Sequence, residues 1–335
     1  MASVHGTSGA WKEISAHLAS VRLTAGQPAE IASLLESCSE EYERQLAEAR
    51  HTLEDEIALL EQEISQEKEK VATALAEYRE KYALDIEQAE AHIDFYQHDR
   101  RISNFIRSFF RIRRESGKLE RLHQTVDEYR FEIEGPLREK ESLREKKVTG
   151  KEAQAEALCQ EARAKVEVLK NITGSATLAS AAAELEMIAC LARLPENVQV
   201  LNDLYLRTDR GLRFENEWLI EAEIHHLVIT PAGLFAIEVH HSGKPAAEKA
   251  PAIDPQQQIR RAAHLLHSFL KPKFPGLTVR SILTYRGHLP ESQKTGIVKT
   301  LPIPDVPGYI DWFKDHSLDE AQIQRLVEYV QEIAG

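Results

Sequence analysis

From Pro28 onward the first half of the chain is nearly without glycine, proline or tryptophan and is dense in Glu, Lys, Arg, Ala, Gln and Leu. Nothing in such a stretch turns the backbone, so it predicts long helix. Between Leu53 and Tyr96 the apolar side chains Leu53, Ile57, Leu60, Ile64, Val71, Leu75, Tyr78, Tyr82, Ile86, Ala89, Ile93 and Tyr96 step by threes and fours. Glu67 is a polar gap and a stutter is expected near Val71. A second seam runs through Leu119, Leu122, Val126, Tyr129 and Ile133, is interrupted by Gly135-Pro136, resumes weakly around Leu143, and returns from Ala155 to Leu169 beyond Thr149-Gly150. An apolar seam has to be covered. A helical hairpin within one chain, or a parallel dimer that would make the protein a homo-oligomer, satisfies both.

Between the seams lies R-R-I-S-N-F-I-R-S-F-F-R-I-R-R, residues 100–114. Here Ile102, Phe105, Ile106, Phe109 and Phe110 form one helical stripe, and Arg100, Arg101, Arg107, Arg111, Arg113 and Arg114 supply positive charge up to an expected end at Gly117. Three uses suit it: packing on neighbouring helices or a protein partner, lying on an anionic membrane surface, or gripping nucleic-acid phosphates.

Around residues 171–181 the texture changes to N-I-T-G-S-A-T-L-A-S-A, and short alternating elements follow. This places the expected boundaries at 1–30 for an N-terminal segment, 31–172 for the coiled coil with its basic segment at 100–117, and 178–335 for a second domain. Ala181 to Leu194 reads as a helix with Glu184 on the stripe of Ile188 and Leu191, so Glu184 should point inward. A strand V-Q-V-L-N-D-L-Y-L, a loop at residues 208–211, and a hairpin from Glu221 to His241 come next. Asp254-Pro255 then opens a helix, L-T-V-R-S-I-L-T-Y makes another strand, and a helix from Leu318 to Ile333 closes the chain. The fold class expected is α+β: a long helical coiled coil followed by an α/β domain with a mixed sheet.

The hairpin concentrates the chemistry. If Thr230-Pro231-Ala232-Gly233 is its turn and Ile229 faces Leu234, then Leu227 faces Ala236, His225 faces Glu238 and Glu223 faces His240, all on one side. Opposed Cβ atoms lie about 5 Å apart. Two carboxylates and two imidazoles at that spacing must share a cation, share protons or face water. His226 and His241 alternate to the other face, as core or surface histidines.

Composition narrows the remaining classes. Among 335 residues, 42% are hydrophobic and 29% charged, and no apolar run approaches the roughly 18–20 residues of a membrane span. The N-terminus M-A-S-V-H-G-T-S-G-A has neither the basic start nor the apolar run of a secretion signal, so a cytoplasmic location is expected. Cys38, Cys159 and Cys190 are widely spaced, against a disulfide framework or a cysteine zinc site. A formal charge of −12 argues against diffuse nucleic-acid affinity and requires local basic patches. No P-loop, G-x-G-x-x-G, H-E-x-x-H or G-x-S-x-G occurs.

Taken in order, E-L-E-M-I-A-C-L-A-R-L, V-L-N-D-L-Y-L, I-H-H-L-V-I-T-P-A-G-L-F-A-I-E-V, P-Q-Q-Q and the strand ending at Tyr285 resemble a nuclease-related domain (NERD), a branch of the restriction-endonuclease-like PD-(D/E)xK nucleases. The resemblance covers residues 181–285. In that family a helix Glu, a strand Asp, a strand Glu and a Lys two residues later surround a divalent metal, and a Gln begins the next helix. It implies Glu184, Glu238 and Gln258 at three of these positions. The Asp position is His225 and the Lys position is His240, with Glu223 on the same strand face to replace the lost carboxylate.

The resemblance thus implies catalytic residues Glu184, His225, Glu238, His240 and Gln258, and metal ligands drawn from Glu184, Glu223, His225 and Glu238. The metal is Mg²⁺ or Mn²⁺ for the family, moved toward Mn²⁺, Zn²⁺ or Ni²⁺ by imidazole ligands. DNA or RNA is the implied partner, with Arg260, Arg261, Lys271 and Lys273 beside the substrate groove. The expected function is nucleic-acid processing or binding through a degenerate metal-dependent phosphodiesterase site. The alternative is an inactive pseudonuclease in which the coiled coil and Arg/Phe-rich segment act as a scaffold or adaptor.

Overall fold

The computed structural model describes residues 1–98, 105–241, 254–286, 298–314 and 317–334. The chain divides into two units: Glu41–Gln160, and Met1–Glu40 together with Glu161–Gly335.

The first unit is an antiparallel helical hairpin built within one chain. Helix α2 (Glu30–His98) supplies one arm, while α3 (Phe105–Ile133) and α4 (Gly135–Leu158) supply the other. Leu53, Leu60, Ile64, Val71 and Ala89 of the predicted seam are buried. Lys151 reaches Glu54 at 2.5 Å, Lys147 reaches Glu56 at 2.5 Å, Arg144 pairs with Glu61, and Lys68 meets Glu141 at 2.8 Å. The Tyr78 and Tyr129 rings stack with centroids 3.8 Å apart. The polar gap at Glu67 is filled by Lys140, which also meets Glu63 at 3.3 Å.

Three expectations are corrected. Gly117 does not end the basic segment, because α3 runs through it, and Thr149-Gly150 does not break the second arm, because α4 continues to Leu158. A glycine in a helix costs only about 1 kcal/mol, which a paired helix absorbs. Leu143 is exposed, so the seam does not resume there. Arg101 lies outside the described residues. Among the described residues no helix is long and apolar enough to cross a membrane, and the three cysteines are free.

The second unit is a six-stranded mixed sheet in the order β1 to β6. Its strands are β1 (Ser3–His5), β2 (Gln199–Phe214), β3 (Glu217–Thr230), β4 (Gly233–His241), β5 (Val279–Arg286) and β6 (Lys299–Pro302). Strands β2, β3 and β4 are antiparallel neighbours, while β1, β5 and β6 pair in parallel. The expected loop at 208–211 is absorbed into β2 at a register shift between Arg207 and Leu212, and the turn comes later, at Glu215, with φ +50°.

The alternation of β3 and β4 splits the core into two layers. Leu227, Ile229, Leu234 and Ala236 pack with Ile259, Leu266 and Leu270 of α7 (Pro255–Leu270) and Leu326 and Val330 of α9 (Glu320–Ile333). On the other face Val228, Phe235, Ile237 and Val239 meet Ala183, Met187 and Leu191 of α6 (Ala176–Leu191) and Val306 and Ile310 of the short α8 (Val306–Asp311). A third cluster joins Trp11, Ile14 and Leu18 of α1 (Gly9–Ser20) to Ile31, to Leu169 and Ile172 of α5 (Gln160–Thr173), and to Ala181.

His226 ties the N-terminal strand into this frame. Asn202 donates its amide to the His5 and Gly6 carbonyls at 3.1 and 3.3 Å, leaving its Oδ1 to accept Nδ1–H of His226 at 2.7 Å. The ring is fully buried, and desolvation, helped by the neighbouring His225, lowers its pKa to about 3. A histidine neutral when folded and titrating near 6.5 when unfolded gives stability that is complete above about pH 6.5 and is lost as pH falls toward 3.

Two outcomes are expected. Urea unfolding should show stability falling by about 4 kcal/mol from this residue between those pH values, and His226→Asn should flatten that slope while lowering stability at pH 7; an unchanged slope would clear His226. For the hairpin, Glu61→Cys with Arg144→Cys should be joined by a short bis-maleimide into a fast-migrating monomer at every protein dilution, whereas chains linked pairwise would contradict the intramolecular pairing.

Candidate functional site

The site forms where β3 and β4 part. The expected register holds, with Ile229 opposite Leu234 and Leu227 opposite Ala236, and regular pairing stops at His226 with Ile237. The tight turn is fixed by Thr230, whose hydroxyl donates to the Gly233 carbonyl at 3.1 Å and accepts from the Ala232 amide at 3.1 Å, and by Gly233 at φ +122°. Beyond the last pair the imidazole of His225 takes the place of a ladder partner. Its Nδ1 accepts the Val239 N–H at 3.3 Å. The proton of the neutral ring is therefore on Nε2, which faces Oε1 of Glu238 at 3.4 Å.

Glu184 comes to the same place from α6. Its Oε1 is 3.9 Å from Nδ1 of His225, and its side chain is buried like that of Glu238. Three of the predicted residues, Glu184, His225 and Glu238, are thus brought together. Burial pushes both carboxyls up, Glu238 well above the usual range with the charges of Glu223 and Glu184 adding to it, and burial pushes His225 down. Burial thus works against the charged form of all three groups. Oε2 of Glu238 is buried with no hydrogen-bond partner among the described residues.

The other predicted residues stand around this centre. Glu223 is exposed on β3 and acts on His225 and Glu238 through its charge. His240 is exposed at the end of β4, its ring edge-on to Tyr285 with centroids 5.3 Å apart, and desolvation lowers its pKa. Gln258 is half-buried in the first turn of α7, which Asp254 caps by accepting the Gln256 amide at 3.4 Å. Of the basic residues, Arg260 pairs with Glu215 and lies over Phe214, and Arg261 reaches Glu217 at 3.4 Å. Lys273 sits 3.9 Å above the Tyr329 ring, and Lys271 is exposed at the end of α7. Arg260 and Arg261 thus tie α7 to the β2–β3 hairpin.

Sequence reasoning missed a second set of residues, contributed by the first twelve positions. Ser8, 1% exposed, donates its hydroxyl to Oε2 of Glu184 at 2.7 Å and accepts the Trp11 amide at 3.0 Å, capping α1. The Gly9 and Ala10 amides also hydrogen-bond to Glu184 and draw its pKa back down. A buried carboxylate thus meets the positive end of a helix. Beside it Lys12 reaches Oδ2 of Asp203 at 2.5 Å. Asp203 has φ +56°, and its carboxylate is so close to Gly9 that a Cβ there would collide with it. The only local sign was Ser8 placed three residues before Trp11.

This contact generates a stability test. Ser8→Ala should lower the free energy of unfolding by about 2 kcal/mol, since it strips one donor from a buried carboxylate and uncaps α1; urea titration at pH 7 measures it, and a change below about 0.5 kcal/mol would show the bond to be dispensable.

Residues 179–285, from α6 to the end of β5, match the family model of the nuclease-related domain, NERD. No curated protein and no solved structure matches the chain. The matched span contains Glu184, His225, Glu238, His240 and Gln258, and excludes Ser8 and Lys12. Residues 179–285 are thus similar to a nuclease-related domain, and a long helical hairpin precedes them in sequence.

Proposed function

We propose that the nuclease-related domain acts on nucleic acid by metal-dependent phosphodiester hydrolysis at a rebuilt site of Glu184, His225 and Glu238. The observation that carries the reading is Oε2 of Glu238: an oxygen without a hydrogen-bond partner among the described residues, on a deeply buried carboxyl beside a second buried carboxyl and an imidazole. Buried polar atoms are rarely left unpaired in a fold, and those that are concentrate where a ligand completes them.

Among the described residues no three His, Cys, Asp or Glu side chains are grouped as the ligands of one ion. The Glu238 oxygen without a described partner fits a cation nonetheless, with Glu184 as its companion and Glu223 on the same strand, while His225 would join the ligand set only by giving up its hydrogen bond from the Val239 amide, which occupies its one lone-pair nitrogen. Imidazole in the set favours Mn²⁺, Zn²⁺ or Ni²⁺ over Mg²⁺. When bound, such a cation would supply activation of water and offset charge on a phosphate.

The remaining roles belong to the chain. His225 holds its Nε2 proton toward Glu238 because Val239 occupies its other nitrogen. His240, exposed at the end of β4 with its pKa lowered by desolvation, would exchange protons with solvent and substrate. Gln258 presents an uncharged amide at the start of α7 for positioning. Lys12 supplies the fixed ammonium that neither strand histidine provides, from α1 instead of β4. DNA and RNA share the phosphodiester that this chemistry addresses.

The test is cleavage of single- and double-stranded DNA and RNA by wild type and Glu238→Gln with each of Mg²⁺, Mn²⁺, Zn²⁺ and Ni²⁺, with calorimetry of metal binding in parallel. Cleavage should be strongest with a borderline metal and fall by about 10²-fold or more in the variant, together with loss of metal binding. A wild type that neither cuts nor binds metal would overturn the hydrolytic reading and leave a domain that binds without reacting.

A further inference from the structure

The first turns of α3 form a surface the site does not use. Residues 105–114 contain Arg107, Arg111, Arg113 and Arg114 and no acid, in a chain whose net charge is −12. Ile106, Phe109 and Phe110 are 71%, 55% and 63% exposed. Their i, i+3, i+4 spacing makes them one outward ridge, with Arg113 on the same line. Ser108 is buried, and Ile112, Glu115 and Leu119 are half-buried, so these residues mark the opposite face, turned into the hairpin. Arg107, Arg111 and Arg114 run between the two faces as a basic stripe. Arg111 lies over the Tyr96 ring at 5.4 Å, and none of the four arginines has an acidic partner among the described residues.

We infer that this end of the hairpin docks on an anionic lipid bilayer surface. The charge is complementary to acidic headgroups, and arginines beside an apolar ridge can hold those headgroups while the ridge enters the acyl boundary. A bilayer takes up all three apolar side chains at once. A nucleic-acid backbone would engage the arginines and leave the convex ridge in water. The adjoining residues 99–104 lie outside the described residues.

Flotation of the full-length protein with vesicles tests this, using neutral phosphatidylcholine alone and the same lipid with roughly a third phosphatidylglycerol. Wild type should float with the anionic vesicles only. The bound fraction should fall about tenfold in Phe109→Ser with Phe110→Ser, and about tenfold in Arg107→Gln with Arg113→Gln and Arg114→Gln. Circular dichroism should be unchanged in both, because the altered side chains are exposed. Glu238→Gln should float like wild type, separating this surface from the nuclease-related site. Failure of wild type to float, or flotation unaffected by both variants, would overturn the inference. So would loss in these variants of single-stranded RNA or DNA binding without vesicle binding, or a dimer that buries the ridge.

Discussion

The cost of taking carboxyl groups out of water organises the second unit. Glu184 and Glu238 are both buried at the point where two strands separate. Each needs a proton, a hydrogen-bond donor or a counter-charge to remain there. Glu184 obtains donors from Ser8 and the start of α1. Glu238 has the imidazole of His225 on one oxygen and nothing described on the other. This asymmetry distinguishes a carboxyl engaged by the fold from one still available for chemistry.

Much of the architecture was legible because it is written in short-range periodicity. Leu53, Leu60, Ile64 and Val71 are buried where a three-four repeat places them, and the hairpin register follows from the turn at residues 230–233 and strict alternation around it. The same alternation brought His225 to Glu238, and the helical stripe of α6 turned Glu184 inward. Punctuation misled where packing overrode it. Gly117 and Gly150 sit within helices held by a partner arm, and the turn-like residues at 208–211 were carried into β2 by the continuing ribbon of β3.

What escaped was non-local. Ser8 and Glu184 are separated by 176 positions, and Lys12 and Asp203 by 191, with no repeat connecting either pair. Asp203 lies in a strand pattern and adopts a positive φ that alternation does not signal. The nuclease-related match begins at residue 179, so neither periodicity nor family resemblance points to the residues that complete the Glu184 environment.

The parallel pairing of Ser3–His5 with Gln199–Leu201 has a consequence for synthesis. Ser3–His5 belong to a unit whose other strands follow the complete helical hairpin in sequence. Helix pairing between nearby segments is fast, whereas a parallel strand with a partner nearly two hundred positions away must await it. Strand β1 therefore waits without its partner while the hairpin is made, and Ser8 meets Glu184 only after it.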